Sequence, residues 1–90
     1  MNFPDTIEIS VTTKDIKYGV RQSCRECPIA AAVRRIFPEN TISVSDYIGV
    51  FDCGKLLAKY SMPFEADQFI YDFDRNILCE PFTFIATKTQ

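Results

Sequence analysis

Cys27-Pro28-Ile29-Ala30-Ala31-Ala32-Val33-Arg34-Arg35-Ile36-Phe37-Pro38 is the stretch from which the fold reads. A proline at the first helical position loses no hydrogen bond, because the N–H it lacks would have had no partner there. Ile29, Ala32, Val33 and Ile36 recur at i, i+3, i+4 and i+7, a single apolar stripe that faces a core. Phe37-Pro38 closes the helix, since the residue before a proline is pushed out of the helical region. The spacing thus predicts one amphipathic helix over 28–36, with Cys27 at its N-cap.

The flanking segments read as strands. From Thr6 to Thr12, Ile7, Ile9 and Val11 alternate with Glu8, Ser10 and Thr12, the period of a half-buried strand. Thr13 to Ser23 reads as a loop with one helical turn at Lys14 to Tyr18. Ile42, Val44, Ile48 and Val50 keep one parity over Thr41 to Phe51, and Asp46 interrupts that face, so either one strand bulges there or two short strands meet. Asp52-Cys53-Gly54-Lys55 is a hairpin turn, with Leu56 to Ser61 returning beside the preceding strand. Pro63 opens a second helix whose Ala66, Phe69, Ile70 and Phe73 repeat the i, i+3, i+4, i+7 stripe. Asp74-Arg75-Asn76 ends it, and Pro81 to Thr87 forms the last strand. The expectation is a single α+β domain over 1–90: an antiparallel sheet of four to five strands, two helices on one face, order β-α-β-β-α-β. That order is compatible with a ferredoxin-like sandwich.

Composition bounds what such a domain does. The 90 residues are 47% hydrophobic and include eight Phe, and a chain this short commits most of its apolar side chains to one core, leaving little for a deep pocket. The formal charge of -2 argues against a nucleic-acid binder held by net charge. With no histidine, Ser–His, Cys–His and His-containing zinc sites are excluded. Met1 to Asp5 and the polar alternation after it lack the charged start and apolar run of a secretory signal, and no stretch has membrane-span length, so a cytoplasmic protein with no membrane partner is expected.

Two features are candidates for chemistry. Cys24-Arg25-Glu26-Cys27-Pro28 places two thiols at C-x-x-C spacing with Cys27 on a helix N-terminus, where the dipole and nearby arginines favour a thiolate. If any residues hold a metal they are Cys24 and Cys27, but Cys53 and Cys79 stand alone and supply no second pair, so plain buried or capping thiols are the preferred reading and zinc or redox chemistry the alternative. The expectation is accordingly no cofactor and no catalytic residue. Charge is also divided. Residues 14–35 hold Lys14, Lys17, Arg21, Arg25, Arg34 and Arg35 against two acids, whereas residues 62–81 hold five acids against Arg75. The six bases form the candidate binding surface, able to hold a phosphate at a helix start, and the acidic helix offers a second surface for a basic partner. Charge runs on small domains are, more often, simply solvated faces.

Asp15-Ile16, Gly19, the run Cys24-x-x-Cys27-Pro28-Ile29-Ala30-x-Ala32-Val33-Arg34-Arg35, Met62-Pro63-x-x-Ala66-x-x-Phe69-Ile70-x-x-Phe73-Asp74 and Glu80-Pro81-Phe82-x-Phe84 together resemble small uncharacterised proteins encoded by tailed bacteriophages and prophages. The match spans most of the chain, and C-x-x-C-P-[IV]-A-x-A is its most specific part. The group has no established activity or ligand, so the resemblance implies only a setting: a phage accessory protein made in the bacterial cytoplasm. The expected function is non-enzymatic binding of a host protein or protein–nucleic acid complex, with inhibition of a host defence one such role. The alternatives are a binder of a small phosphate-bearing ligand or nucleotide, also conceivable between subunits of a homodimer, and a Cys-based metal or redox protein.

Overall fold

The computed structural model describes residues 3–89. β1 (Thr6–Val11) leads to α1 (Thr13–Tyr18) and α2 (Pro28–Ile36). A meander of β2 (Thr41–Val44), β3 (Tyr47–Asp52) and β4 (Lys55–Ser61) follows, then α3 (Phe64–Asp74) and β5 (Phe82–Lys88). The architecture is α+β, one five-stranded antiparallel sheet of order β1-β5-β4-β3-β2 with three helices.

Two parts of the expected order change. The helical turn after β1 is a helix in its own right, begun by a reciprocal capping box: Asp15 N–H donates to Thr12 Oγ1 at 3.1 Å and Thr12 N–H to Asp15 Oδ2 at 2.9 Å. The interruption at Asp46 is a turn between two strands, with Ser45 N–H donating to the Tyr47 carbonyl at 2.9 Å. Because this turn sets Val44 opposite Ile48, both strands keep their apolar residues on one face. The sheet does carry an irregularity, but between Val50 and Phe51, where Leu57 is the unmatched residue of β4.

The ferredoxin-like sandwich is not the arrangement adopted. A split βαβ unit separates parallel strands by a third strand. Here β4 and β5, joined through α3, are antiparallel neighbours, and β1 lies at the sheet edge beside β5. Element order alone leaves strand order open, because pairing depends on contacts far apart in sequence. β4 and β5 overlap only at Tyr60↔Lys88 and Ser61↔Thr87. The start of β5 packs instead against α3: Phe69 stacks on Phe82 at 4.9 Å between ring centroids, and Phe82 on Phe84 at 5.3 Å. Full burial of such a ring contributes about 1.5–3 kcal/mol, and the half-buried Phe82 gains less.

The core draws Ile7, Ile9 and Val11 from β1, Ile29 and Val33 from α2, Ile42, Val44, Ile48 and Val50 from the meander, and Phe69 and Phe73 from α3. Tyr60 is fully buried, and its hydroxyl donates to the Pro4 carbonyl at 2.6 Å. That bond satisfies a phenol that would otherwise be costly inside. Among the described residues no helix is long and apolar enough to cross a membrane.

Candidate functional site

The segment between α1 and α2 is laced to its surroundings. Gly19 passes so close to α2 that a Cβ there would lie 2.7 Å from the Pro28 ring, which is why no larger residue stands at this point. Val20 N–H donates to the Glu26 carbonyl at 2.8 Å, and Glu26 N–H to Ser23 Oγ at 3.0 Å. Val44 N–H donates to the Cys24 carbonyl at 2.8 Å, so this segment covers part of the open edge of β2. On its other side it grips the end of α3. Gln22 N–H donates to Asp74 Oδ1 at 2.8 Å, Arg21 bonds Asn76 Oδ1, and the Arg21 guanidinium lies 5.6 Å from the Phe73 ring centroid.

This lacing creates a groove. Cys24 and Cys27 form one end, Ser45 and Asp46 of the β2–β3 turn one wall, and Ile70 and Asp74 of α3 the other, around a cleft of about 270 Å³. A neighbouring cleft of about 440 Å³ shares Ser45, Asp46, Ile70 and Asp74 and continues to Asp67, Tyr71 and Arg75. Three carboxylates, Asp46, Asp67 and Asp74, thus surround an apolar floor at Ile70. Arg75 is the basic group among them, and its guanidinium stacks 3.6 Å from the Tyr71 ring centroid. Such a groove suits a cation with an aliphatic stem, lysine or arginine, whose head meets carboxylates while its stem covers Ile70.

The six bases of the candidate surface are not gathered in the same way. Arg35 is committed internally: Nη1 donates to Asp15 Oδ1 at 2.6 Å, and Nη2 to Asp15 Oδ2 at 2.7 Å and to the Ser10 carbonyl at 2.9 Å. Arg34 bonds the Arg25 carbonyl, and Arg21 is held by Asn76. Lys14 and Arg34 share a cleft with Asp15 and Glu26, so opposite charge already lines it. Lys17 lies over the Tyr18 ring at 5.4 Å, and Arg25 faces a different cleft altogether.

The thiol chemistry changes as well. Cys27 caps α2, its Sγ accepting from Ala30 N–H at 3.4 Å, as a cap residue should. Burial pushes its thiol above the usual range of about 9; the N–H groups of Ala30 and Ile29 pull the other way without prevailing, and Asp74 and Cys24 add to the rise. The thiolate that the helix dipole would favour is therefore not the resting form. The same bond occupies a donor at the helix start on which an anion would depend. Cys24 is exposed and all four cysteines are free. Among the described residues no group of three or more cysteine or acidic side chains is placed to hold a metal ion.

The groove itself is not legible in sequence, because Cys24, Asp46 and the α3 pair Ile70 and Asp74 come from three separate segments. The one local signal is Asp46 in the middle of an apolar alternation, a turn residue at a sheet corner. No family model, no curated protein and no solved structure matches the chain.

Proposed function

We propose that the chain is a non-enzymatic binding protein of the tailed-phage accessory type, acting in the bacterial cytoplasm on a host protein or protein–nucleic acid complex. It docks a basic surface of that partner through the groove between the β2–β3 turn and α3. In this reading α2 and α3 lie on one face of the sheet, and a host defence protein with a nucleic-acid-binding surface is the class of target. The observation that carries the proposal is the convergence of Asp46, Asp67 and Asp74 on Ile70, beside exposed Tyr71. Carboxylates at the rim steer a basic partner and fix its register, while the apolar floor and the aromatic ring supply buried contact. The basic segment Lys14 to Arg35 supports this role less, because Arg21, Arg34 and Arg35 are engaged within the molecule.

The test is capture of partners from bacterial lysate by the full chain and by an Asp46→Lys, Asp67→Lys variant. Both side chains project from exposed positions, so the variant keeps its fold, which its melting curve checks. A specific partner that is lost on charge reversal and weakened by moderate salt supports the reading. Recovery of the same partner by both proteins, or of none at low and moderate salt, overturns it.

A further inference from the structure

The turn that closes one end of the acidic groove also crosses the edge of β2, and Arg25 emerges on the far side. Ile42, Val44 and Val50 point into the core, so strand alternation puts Thr41, Ser43 and Phe51 on the outer face of the sheet. Arg25, Thr41, Ser43, Phe51 and Gly54 line a cleft of about 370 Å³ there. Its volume falls at the lower end of the range of about 300–1,000 Å³ typical of small-molecule sites.

The state of the arginine separates this cleft from the others. Arg75 is stacked on Tyr71 among three aspartates, Arg21 is bonded to Asn76, and Arg34 is bonded to a carbonyl beside Asp15 and Glu26. The Arg25 guanidinium has no hydrogen-bond or ion-pair partner among the described residues, and no carboxylate lines its cleft. Its backbone, in contrast, is fixed from both sides: the Cys24 carbonyl accepts from Val44 N–H, and the Arg25 carbonyl accepts from Arg34. The fixed main chain thus roots the arginine at this cleft and leaves its guanidinium donors unspent for an anion. The hydroxyls of Thr41 and Ser43 are likewise free to donate among the described residues. Phe51 leans over Gly49, with Cε1 and Cζ 2.7 and 3.2 Å from where a Cβ would stand, and its half-buried ring forms an aromatic wall of the cleft.

We propose that this outer face binds a mononucleotide: Arg25 and the Thr41 and Ser43 hydroxyls hold the phosphate monoester, and the base stacks on Phe51. Guanidinium matches two phosphate oxygens at once, the hydroxyls serve the third, and ring stacking accepts any base. The site is separate from the acidic groove and stands whether or not that groove docks a partner.

The experiment is titration of the full chain with adenosine 5′-monophosphate at fixed ionic strength, read by calorimetry and by backbone amide shifts. Inorganic phosphate and adenosine are run as separate probes. The nucleotide is expected to bind about tenfold or more tighter than either fragment. Arg25→Ala, at an exposed side chain, should weaken it by about tenfold or more while leaving the ligand-free melting temperature unchanged. Ser43→Ala should weaken it severalfold, and Lys14→Ala should change nothing. Shifts should centre on Thr41, Ser43, Phe51 and Gly54. Absence of saturable binding at millimolar nucleotide, equal binding to Arg25→Ala, or shifts confined to the cleft of Lys14 and Arg34 would each overturn the assignment. So would a single-stranded oligonucleotide that binds more tightly than the nucleotide and ignores the Arg25 substitution.

Discussion

Asp15 ties the start of α1 to α2. It is 7% exposed, completes the capping box of α1 and receives both Nη groups of Arg35 from α2. Burial raises its carboxyl pKa, but the Arg35 and Thr12 hydrogen bonds and the Arg35 charge outweigh that, leaving it below the usual 3.8. A carboxyl held lower in the folded than in the unfolded state adds stability above pH 3.8 and loses it as the pH falls through the folded value. Asp15→Asn should therefore flatten the acid limb of the stability profile and cost about 1–3 kcal/mol near neutrality, measured by urea unfolding. The half-exposed Arg35 side chain keeps that figure modest, since water screens the pair. Cys27 defines the alkaline limb. Burial raises its thiol and that of Cys79, so stability present below about pH 9 should decline as the pH climbs above it, and the Tyr60 phenol, also raised by burial, adds to the decline above about pH 10. Iodoacetamide should label Cys24 and Cys53 first and Cys27 only on unfolding, as peptide mass mapping would show. Gly19→Ala should cost about 1–3 kcal/mol, because the proline ring and the Asp15 carbonyl leave no room for the added methyl. The backbone there, at φ -70, is ordinary.

Among the elements, those with their own periodicity are legible in sequence. α2, α3 and β1 are found where Ile29 to Ile36, Ala66 to Phe73 and Ile7 to Val11 place them, because one buried face per element is a local property of the chain. α1 is legible only as a turn: six residues are too few to hold a helix alone, and Arg35, twenty positions later, supplies the missing restraint. The end of α3 follows a rule visible in Arg75-Asn76. Asn76 takes φ 61, its N–H donates to the Phe73 carbonyl at 3.1 Å, and Ile77 N–H donates to the Asp72 carbonyl at 2.9 Å, the paired bonds of a Schellman end. The β3–β4 hairpin uses Cys53 at φ 50 and Gly54 at φ 79. That turn favours asparagine before glycine. Cys53→Asn should thus stabilise by about 0.5–1 kcal/mol, and about 1 kcal/mol moves the melting temperature of a domain this size by about 4–8 °C. Scanning calorimetry would read it.

Across the whole molecule, the sequence indicated a basic side and an acidic side, and folding treats them differently. Three of the six bases, Arg21, Arg34 and Arg35, are spent on internal bonds, whereas Asp46 and Asp67 beside Ile70 remain exposed and Asp74 holds the Gln22 N–H. Charge totals along a chain do not disclose this, because which guanidinium finds an internal acceptor depends on long-range packing. Strand order is hidden for the same reason. β1 pairs with β5, so residues near the two ends of the described chain, Thr6 and Thr87, lie directly opposite each other. Synthesis runs from the first strand to the last, and that order has a cost. On the ribosome, β1 waits without its hydrogen-bonding neighbour until β5 has been made, which leaves an unpaired strand edge during the interval. The alternation with Glu8 and the packing of α2 on β1 would limit capture of that edge by a neighbouring chain in the meantime.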